Sequence, residues 1–143
     1  MAKPYIISVT GTFGGGVELD CFSEEIEHTR RRRPVLIDLA KVTFMRPQAV
    51  VATVLFIEAM IGRKRHITLR FPGQAGVLNY LVGIGFPRIL DTLGTWSWPD
   101  DFPKEPVRGL RPMVKLTKFT TSDDVERISA EIAEIFDKEL TGL

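Results

Sequence analysis

The chain is poor in the residue types that build disulfides, metal centres and catalytic groups. Its 143 residues include one cysteine, Cys21, and two histidines, His28 and His66. A single cysteine excludes an internal disulfide and a cysteine-only zinc site, and it is typical of a reducing compartment. Neither histidine has a metal-ligand partner of the right type three or four positions away, although Glu24 and Glu25 lie near His28. No nucleophile–base pair is apparent either, so we expect a protein that is not an enzyme and that holds no cofactor or metal.

Long apolar runs and excess charge are also missing. The longest apolar run, Ala49 to Ile61, contains Glu58 and is shorter than the roughly 20 residues that span a bilayer. The N-terminus has no apolar core of the kind found in signal peptides. A net charge of +1, with 44% apolar and 26% charged residues, is typical of a soluble globular protein. We expect a cytoplasmic protein without membrane insertion and without nucleic-acid binding.

A glycine-rich stretch, GTFGGG at 11–16, has the spacing of a phosphate-binding loop. Such a loop needs Lys and then Ser or Thr, because these bind phosphate and magnesium. Val17 and Glu18 stand there instead, and Glu18 would repel phosphate. We therefore predict a flexible hairpin loop rather than a nucleotide site.

Two basic clusters, RRRR at 30–33 and RKR at 63–65, fall at the predicted C-termini of helices. Cations are favoured at such ends, and neither cluster has aromatic residues for base stacking. Solvated helix ends are predicted here in preference to a nucleic-acid site.

Strand-like and helix-like segments alternate over the first 90 residues. This order predicts an α/β fold with a mixed, mainly parallel sheet and helices packed on it. VLIDL, at 35–39, is almost wholly apolar and predicts a central strand, although Asp38 interrupts it. The Asp38 carboxylate is expected either to be partly buried or to bond the backbone near the glycine loop. The predicted elements are a strand at 5–9, a short second strand at Val17 and Leu19, a helix from Asp20 to about Arg31, a strand over 35–39 continuing through 42–45, a helix from Pro47 to about Gly62 that is largely buried, a strand at 66–71 and a helix from Val77 that ends at Gly83 and Gly85.

Beyond residue 90 the composition changes. Residues 91–112 are rich in proline and predict an extended segment, in which Trp96 and Trp98 form either a recognition patch or the edge of a core. Residues 113–143 predict a strand at 113–119 and a last amphipathic helix from Asp123 to about Leu140, with Thr121 or Ser122 as its cap. The apolar face of this helix either packs on the domain at 1–90 or mediates homo-oligomer assembly.

Residues 5–90 resemble the STAS domain, the family of bacterial anti-sigma-factor antagonists and of the cytoplasmic domains of sulfate transporters. VLIDLAKVTFM, at 35–45, is similar to the family's strand, and the segments at 63–71 and 77–85 are similar to its later elements. In the family, Asp-Ser-Ser-Gly-Leu opens the following helix. Here Arg46 to Val50 occupy those positions, and the phosphorylatable serine falls on Gln48, which cannot accept phosphate. The resemblance thus implies a STAS-like domain without the phosphorylation switch.

A second resemblance concerns the end of the chain. KLTKFTTSDDVERISAEIAEIFDKEL is similar to the connector and first helix that follow a STAS-like region in some proteins of the histidine-kinase-like ATPase superfamily. No ATP-binding motif follows, so the chain is expected to be either a fragment of such a protein or a separately encoded partner of one.

Together these resemblances imply a non-enzymatic regulatory module in bacterial signalling that binds a protein, with a histidine-kinase-like ATPase or an anti-sigma-type kinase as partner. The predicted partner-binding residues are Arg46, Pro47, Gln48 and Ala49, together with the exposed part of the helix that follows. The alternative is an accessory domain of a transport system that binds a small molecule or lipid, for which a cavity lined by residues 49–61 and by Trp96 and Trp98 would be required.

Overall fold

Over the residues that the structure describes, the chain folds into an α/β arrangement in which three strands alternate with helices. The computed structural model describes residues 3–14, 17–27, 33–94 and 120–141. The predicted α/β class is confirmed. The elements in chain order are β1 (Tyr5–Phe13), α1 (Val17–Glu27), β2 (Val35–Met45), α2 (Pro47–Gly62), β3 (Ile67–Arg70), α3 (Ala75–Gly83), α4 (Phe86–Leu93) and α5 (Ser122–Thr141).

Strand β2 lies at the centre of a parallel sheet with the order β1-β2-β3. Ile7, Ile37 and Leu69 stand side by side in the register, and all three are buried. The next positions along the strands turn to the opposite face, as the two-residue period of a strand requires. The central position that the apolar run predicted for β2 is therefore confirmed.

Three phenylalanine rings join β1, α1 and α2 on the buried side of the sheet. Phe22 stacks on Phe56 with ring centres 4.5 Å apart, and it meets Phe13 edge-on at 6.0 Å. All three side chains are buried. Aromatic pairs in these geometries add about 1 kcal/mol each to the hydrophobic gain of burial. This cluster positions the middle of α2, at Phe56, against α1 and the end of β1.

Helix α2 has the bounds that its sequence predicted. Pro47 takes the first helical position, where its missing N–H costs nothing. At the other end, the Lys64 and Arg65 amides donate to the carbonyls of Ile61 and Met60, and Lys64 is left-handed with φ 57°. This is a Schellman turn. Neither α2 nor any other helix in the described ranges is both long and apolar enough to cross a bilayer.

The N-terminal predictions need correction. The second strand at Val17 and Leu19 is wrong, because α1 is already helical at Val17, about one turn before the predicted start at Asp20. Gly11 belongs to β1, which is longer than predicted. It adopts φ 76° next to a break in the register with β2, a conformation that glycine takes without strain. The predicted end of the helix at Arg31 lies outside the described residues.

Helix α4 was not predicted. Gly85 was expected to end the preceding helix, and it does follow α3, but with φ 81° it also forms the N-cap of α4. Phe86 and Leu90 of α4 are buried in the common core. The helix therefore crosses the domain boundary that was predicted at residue 90.

Helix α5 begins after Thr121, one of the two predicted caps. The Thr121 hydroxyl accepts a hydrogen bond from the Asp124 amide at 3.2 Å, and the Asp124 carboxylate accepts one from the Thr120 amide. This is a variant of the capping box. The bond from the Thr120 amide is the main reason why the pKa of Asp124 is lowered. The predicted strand at 113–119 and most of the proline-rich segment lie outside the described residues.

Candidate functional site

Arg46 connects the carboxyl end of β2 to the start of α2. Its amide donates to the Phe13 carbonyl at 3.0 Å, and its carbonyl accepts from the amides of Ala49 and Val50. Its backbone is extended, as is usual for a residue before proline. The turn is thus held to the end of β1 on one side and to the first turn of α2 on the other.

Gln48 and Gly14 make a second link between this turn and β1. The Gln48 side-chain amide donates to the Gly14 carbonyl at 3.3 Å, a long bond that is exposed to water. A Cβ atom on Gly14 would lie 3.0 Å from both Cδ and Nε of Arg46. The Arg46 side chain therefore lies against the glycine backbone, and a Cβ at position 14 would require this side chain to shift slightly.

Three of the four predicted partner-binding residues are accessible. Arg46, Pro47 and Gln48 are exposed, whereas Ala49 is fully buried in the core beneath the helix. The Ala49 side chain cannot touch a partner, so its inclusion in the site is not supported by its position. Arg46 forms no ion pair with any residue in the described part of the chain.

The outer face of α2 extends this surface. The sequence predicted that an exposed part of this helix takes part in binding, but it did not identify the residues. Val51 is 46% exposed and Leu55 is 59% exposed, although the helix was expected to be largely buried. Together with Gln48 they follow a three–four spacing, so they lie on one side of α2. A helix that is apolar all round does not reveal which side faces water. The sequence contained one signal for the outer side of α2: two small residues, Ala52 and Ala59, lie on the same side of the helix as Leu55.

We define the α2 surface as Arg46, Pro47, Gln48, Val51 and Leu55. It combines a cation, an amide and two large aliphatic side chains. Scattered exposed apolar residues are normal, whereas contiguous apolar patches rimmed by polar residues mark interaction sites.

The glycine stretch was wrongly predicted as a hairpin loop. Gly14 follows β1, and α1 begins at Val17, so the loop joins a strand to a helix. That is the position of a phosphate-binding loop in parallel α/β folds. The required lysine and hydroxyl are still replaced by Val17 and Glu18, and a helix N-terminus alone does not make a phosphate site.

Asp38 is partly buried, as expected, and uses its two oxygens separately. Oδ2 lies 2.9 Å from the Arg70 guanidinium on the neighbouring strand, and Oδ1 accepts from the Ala40 amide at 3.0 Å. The carboxylate thus bonds backbone two residues along β2, and not at the glycine loop.

The basic clusters form the predicted solvated helix ends only in part, as far as they are described: Lys64, just after α2, is exposed, but three arginines are not solvated helix ends. Arg65 is buried, and its guanidinium lies 2.7 Å from the buried Glu25 carboxylate. Arg33 lies over the Tyr5 ring at 4.5 Å, and Arg63 donates to the Ile26 carbonyl. These three arginines join neighbouring elements of the fold; residues 30–32 lie outside the described ranges.

Metal-ligating and cavity-lining residues are not brought together in the described part of the chain. No group of three or more His, Cys, Asp or Glu residues in these ranges has the geometry to hold a metal. One open depression at the start of α5 is lined by Thr120, Thr121, Ser122, Val125 and Glu126, and none of residues 49–61 lines it. His28, Trp96 and Trp98 lie outside the described residues, so the predicted alternative of a ligand cavity stays a prediction.

Comparison of the chain with protein-family models, with curated proteins and with solved structures found no match.

Proposed function

We propose that this chain is a non-enzymatic regulatory module that binds a protein through the α2 surface. In this proposal it is a STAS-like domain in which Gln48 replaces the phosphorylatable serine. Its partner is a histidine-kinase-like ATPase or an anti-sigma-type kinase of bacterial signalling.

The observation that supports this proposal is the continuity of the α2 surface. The exposed Arg46 and Gln48 at the turn adjoin Val51 and Leu55 on the same side of the helix. A STAS-like partner site is expected at this strand-to-helix turn, and the exposed aliphatic side chains provide the apolar contact that a polar turn alone would lack.

Each residue of the surface has a role that its chemistry permits. Arg46 pairs with a partner carboxylate, since its guanidinium is exposed and has no ionic partner among the described residues. Gln48 exchanges its long 3.3 Å bond to Gly14 for a bond to a partner backbone group. Burying the exposed parts of Val51 and Leu55 contributes on the order of 1 kcal/mol each.

The test is capture of partners from extracts of the native cell with immobilised protein. Arg46→Glu and Gln48→Glu should each lose a partner that the unmodified chain retains. Lys3→Glu and Gln74→Glu are the matched controls, because they make the same chemical changes at exposed positions outside the α2 surface. Lys3 precedes β1 and so lies near the amino ends of the parallel strands, whereas Arg46 follows the carboxyl end of β2. If both variants of the turn retain the same partners as the controls, the turn is not the binding surface.

A further inference from the structure

Helix α5, like the α2 surface, exposes large apolar side chains in a row. Val125, Ile128, Ile132 and Ile135 recur at three–four spacing. Val125 is 47% exposed and Ile132 is 38% exposed. An apolar row on a helix that is otherwise polar normally packs against another element. Because these two side chains are exposed in the folded chain, the α2 surface of the same molecule does not cover them.

The charges around the two surfaces are opposite. Helix α5 carries seven acidic residues and two basic ones. Glu58 is the only charged residue within α2, and exposed cations, Arg46 and Lys64, stand just beyond its two ends. Neither cation forms an ion pair with a residue that the structure describes. Opposite charges favour contact between α5 and α2, whereas two copies of α5 would repel each other.

The shapes of the two helices are also compatible. At 1.5 Å per residue, the 16 residues of α2 span about 24 Å and the 20 residues of α5 about 30 Å. Ala52 and Ala59, on either side of Leu55 along the outer side of α2, are small and only partly buried. They leave grooves that isoleucine side chains fill when two helices pack at 8–10 Å.

We infer that α5 of one copy of this chain packs on the α2 surface of a second copy, and that the contact is made twice in a symmetric dimer. A reciprocal contact closes the assembly, as two-fold dimers generally do. The regulatory role of this dimer rests on the proposed function, because the dimer gives the same surface a second occupant. The dimer covers Leu55 and so competes with the regulatory partner.

The test is sedimentation velocity of the full chain over a range of micromolar concentrations, with Leu55→Glu and Ile132→Glu as variants. Both side chains are exposed, so neither change removes a core contact. The unmodified chain should form a dimer, and each variant alone should associate at least about tenfold more weakly. An equimolar mixture of the two should associate more strongly than either alone, because one copy retains α5 and the other retains the α2 surface.

Lys3→Glu is the control and should form the dimer as the unmodified chain does. Raising the salt concentration should weaken association, since exposed charges are screened. The inference is overturned if the unmodified chain stays monomeric throughout, or if the mixture shows no recovery. Dimers of Ile132→Glu alone would show α2–α2 pairing, and dimers of Leu55→Glu alone would show α5–α5 pairing; either result also overturns it.

The two proposals fail separately. If the chain is monomeric throughout the concentration range, the proposed dimer is ruled out. The expected loss of a partner by Arg46→Glu and Gln48→Glu is not affected by that result. Retention of every partner by those variants removes the proposed function, whereas recovery in the mixed sample would still establish the contact between α5 and α2.

Discussion

The guanidinium of Arg65 lies 2.7 Å from the carboxylate of Glu25, and both side chains are buried. The same guanidinium donates to the Arg33 carbonyl at 2.8 Å. Glu25 comes from α1 and Arg65 follows α2, so the pair joins these two helices to the residues that lead into β2. The Schellman turn at the end of α2 is what brings Arg65 to this position.

Breaking this pair on one side should be costly. Glu25→Gln leaves a buried guanidinium without its counter-charge, and we expect the free energy of unfolding to fall by about 3–5 kcal/mol. The double variant Glu25→Leu with Arg65→Met removes both charges. Its free energy of unfolding should be close to that of the unmodified chain or higher. Urea denaturation followed by far-UV circular dichroism measures both.

The matched control for this prediction is Asp38→Asn. It makes the same acid-to-amide change in a pair whose arginine, Arg70, is exposed, so the loss should be below about 1 kcal/mol. A loss for Glu25→Gln as small as that of the control would contradict the assignment of a buried pair.

The left-handed conformation of Lys64 predicts a stabilising substitution. At this position of a Schellman turn, glycine avoids the steric penalty of about 1–2 kcal/mol that a side chain meets, but it loses more entropy on folding. Lys64→Gly should therefore raise the free energy of unfolding by up to about 1 kcal/mol. Lys41→Gly, in the extended part of β2, should lower the free energy of unfolding by a similar amount. Chemical denaturation of the two variants measures both changes. Equal destabilisation by both would show that Lys64 is not left-handed.

The two tyrosines predict a loss of stability in alkali. Desolvation by burial raises the pKa of Tyr80 above its ordinary value of 10.0, and it is also the main cause that raises the pKa of Tyr5. A raised pKa means that the folded state favours the neutral phenol. The stability that results from the raised pKa is fully present below pH 10.0 and is lost as the pH rises through the folded-state pKa.

Absorbance at the phenolate wavelength should show both tyrosines of the folded chain titrating above pH 10.0. Tyr80→Phe should remove one of the two steps and reduce the loss of stability between pH 10.0 and the folded-state pKa. A tyrosine that titrates at or below its ordinary value in the folded protein would contradict the burial from which the prediction is made.

Gln48→Ser tests the STAS-like assignment directly. The new hydroxyl stands in the first turn of α2, where a phosphate group is favoured by the helix dipole. If the captured partner is an anti-sigma-type kinase, it should phosphorylate this serine in the presence of ATP and then bind the modified chain more weakly. Mass spectrometry of the reaction products locates the phosphate.

Ser122, exposed in the first turn of α5, is an internal control that is present in both proteins. Phosphate on Ser122 in both proteins would show unselective transfer. A partner that binds Gln48→Ser but leaves position 48 unmodified would not be a kinase of this type.

Some elements could be predicted because the signals for them are local. Pro47 at the first helical position, the apolar run after it and the basic residues beyond Gly62 predicted both ends of α2. The apolar segment at 35–39 predicted the central strand, and Thr121 was among the predicted caps of α5. Each of these signals acts through backbone sterics or hydrogen bonds within a few residues.

The candidate site shows what local sequence signals do not predict, namely which side chains are exposed. The sequence pointed to Arg46, Pro47 and Gln48, which are exposed, but it also included Ala49, which is buried. It did not show that Val51 and Leu55 face water. Helix α2 is apolar on most sides, so periodicity alone could not identify its outer side.

What the sequence by itself determined is the order of most strands and helices and the chemical character of the turn at 46–48. Tertiary structure alone decided that Gly85 starts α4, that Arg65 is buried against a carboxylate 40 positions earlier, and that Leu55 is exposed. The physical reason is that burial and ion pairing depend on which distant segments occupy the space beside a residue. Local propensities do not contain that information.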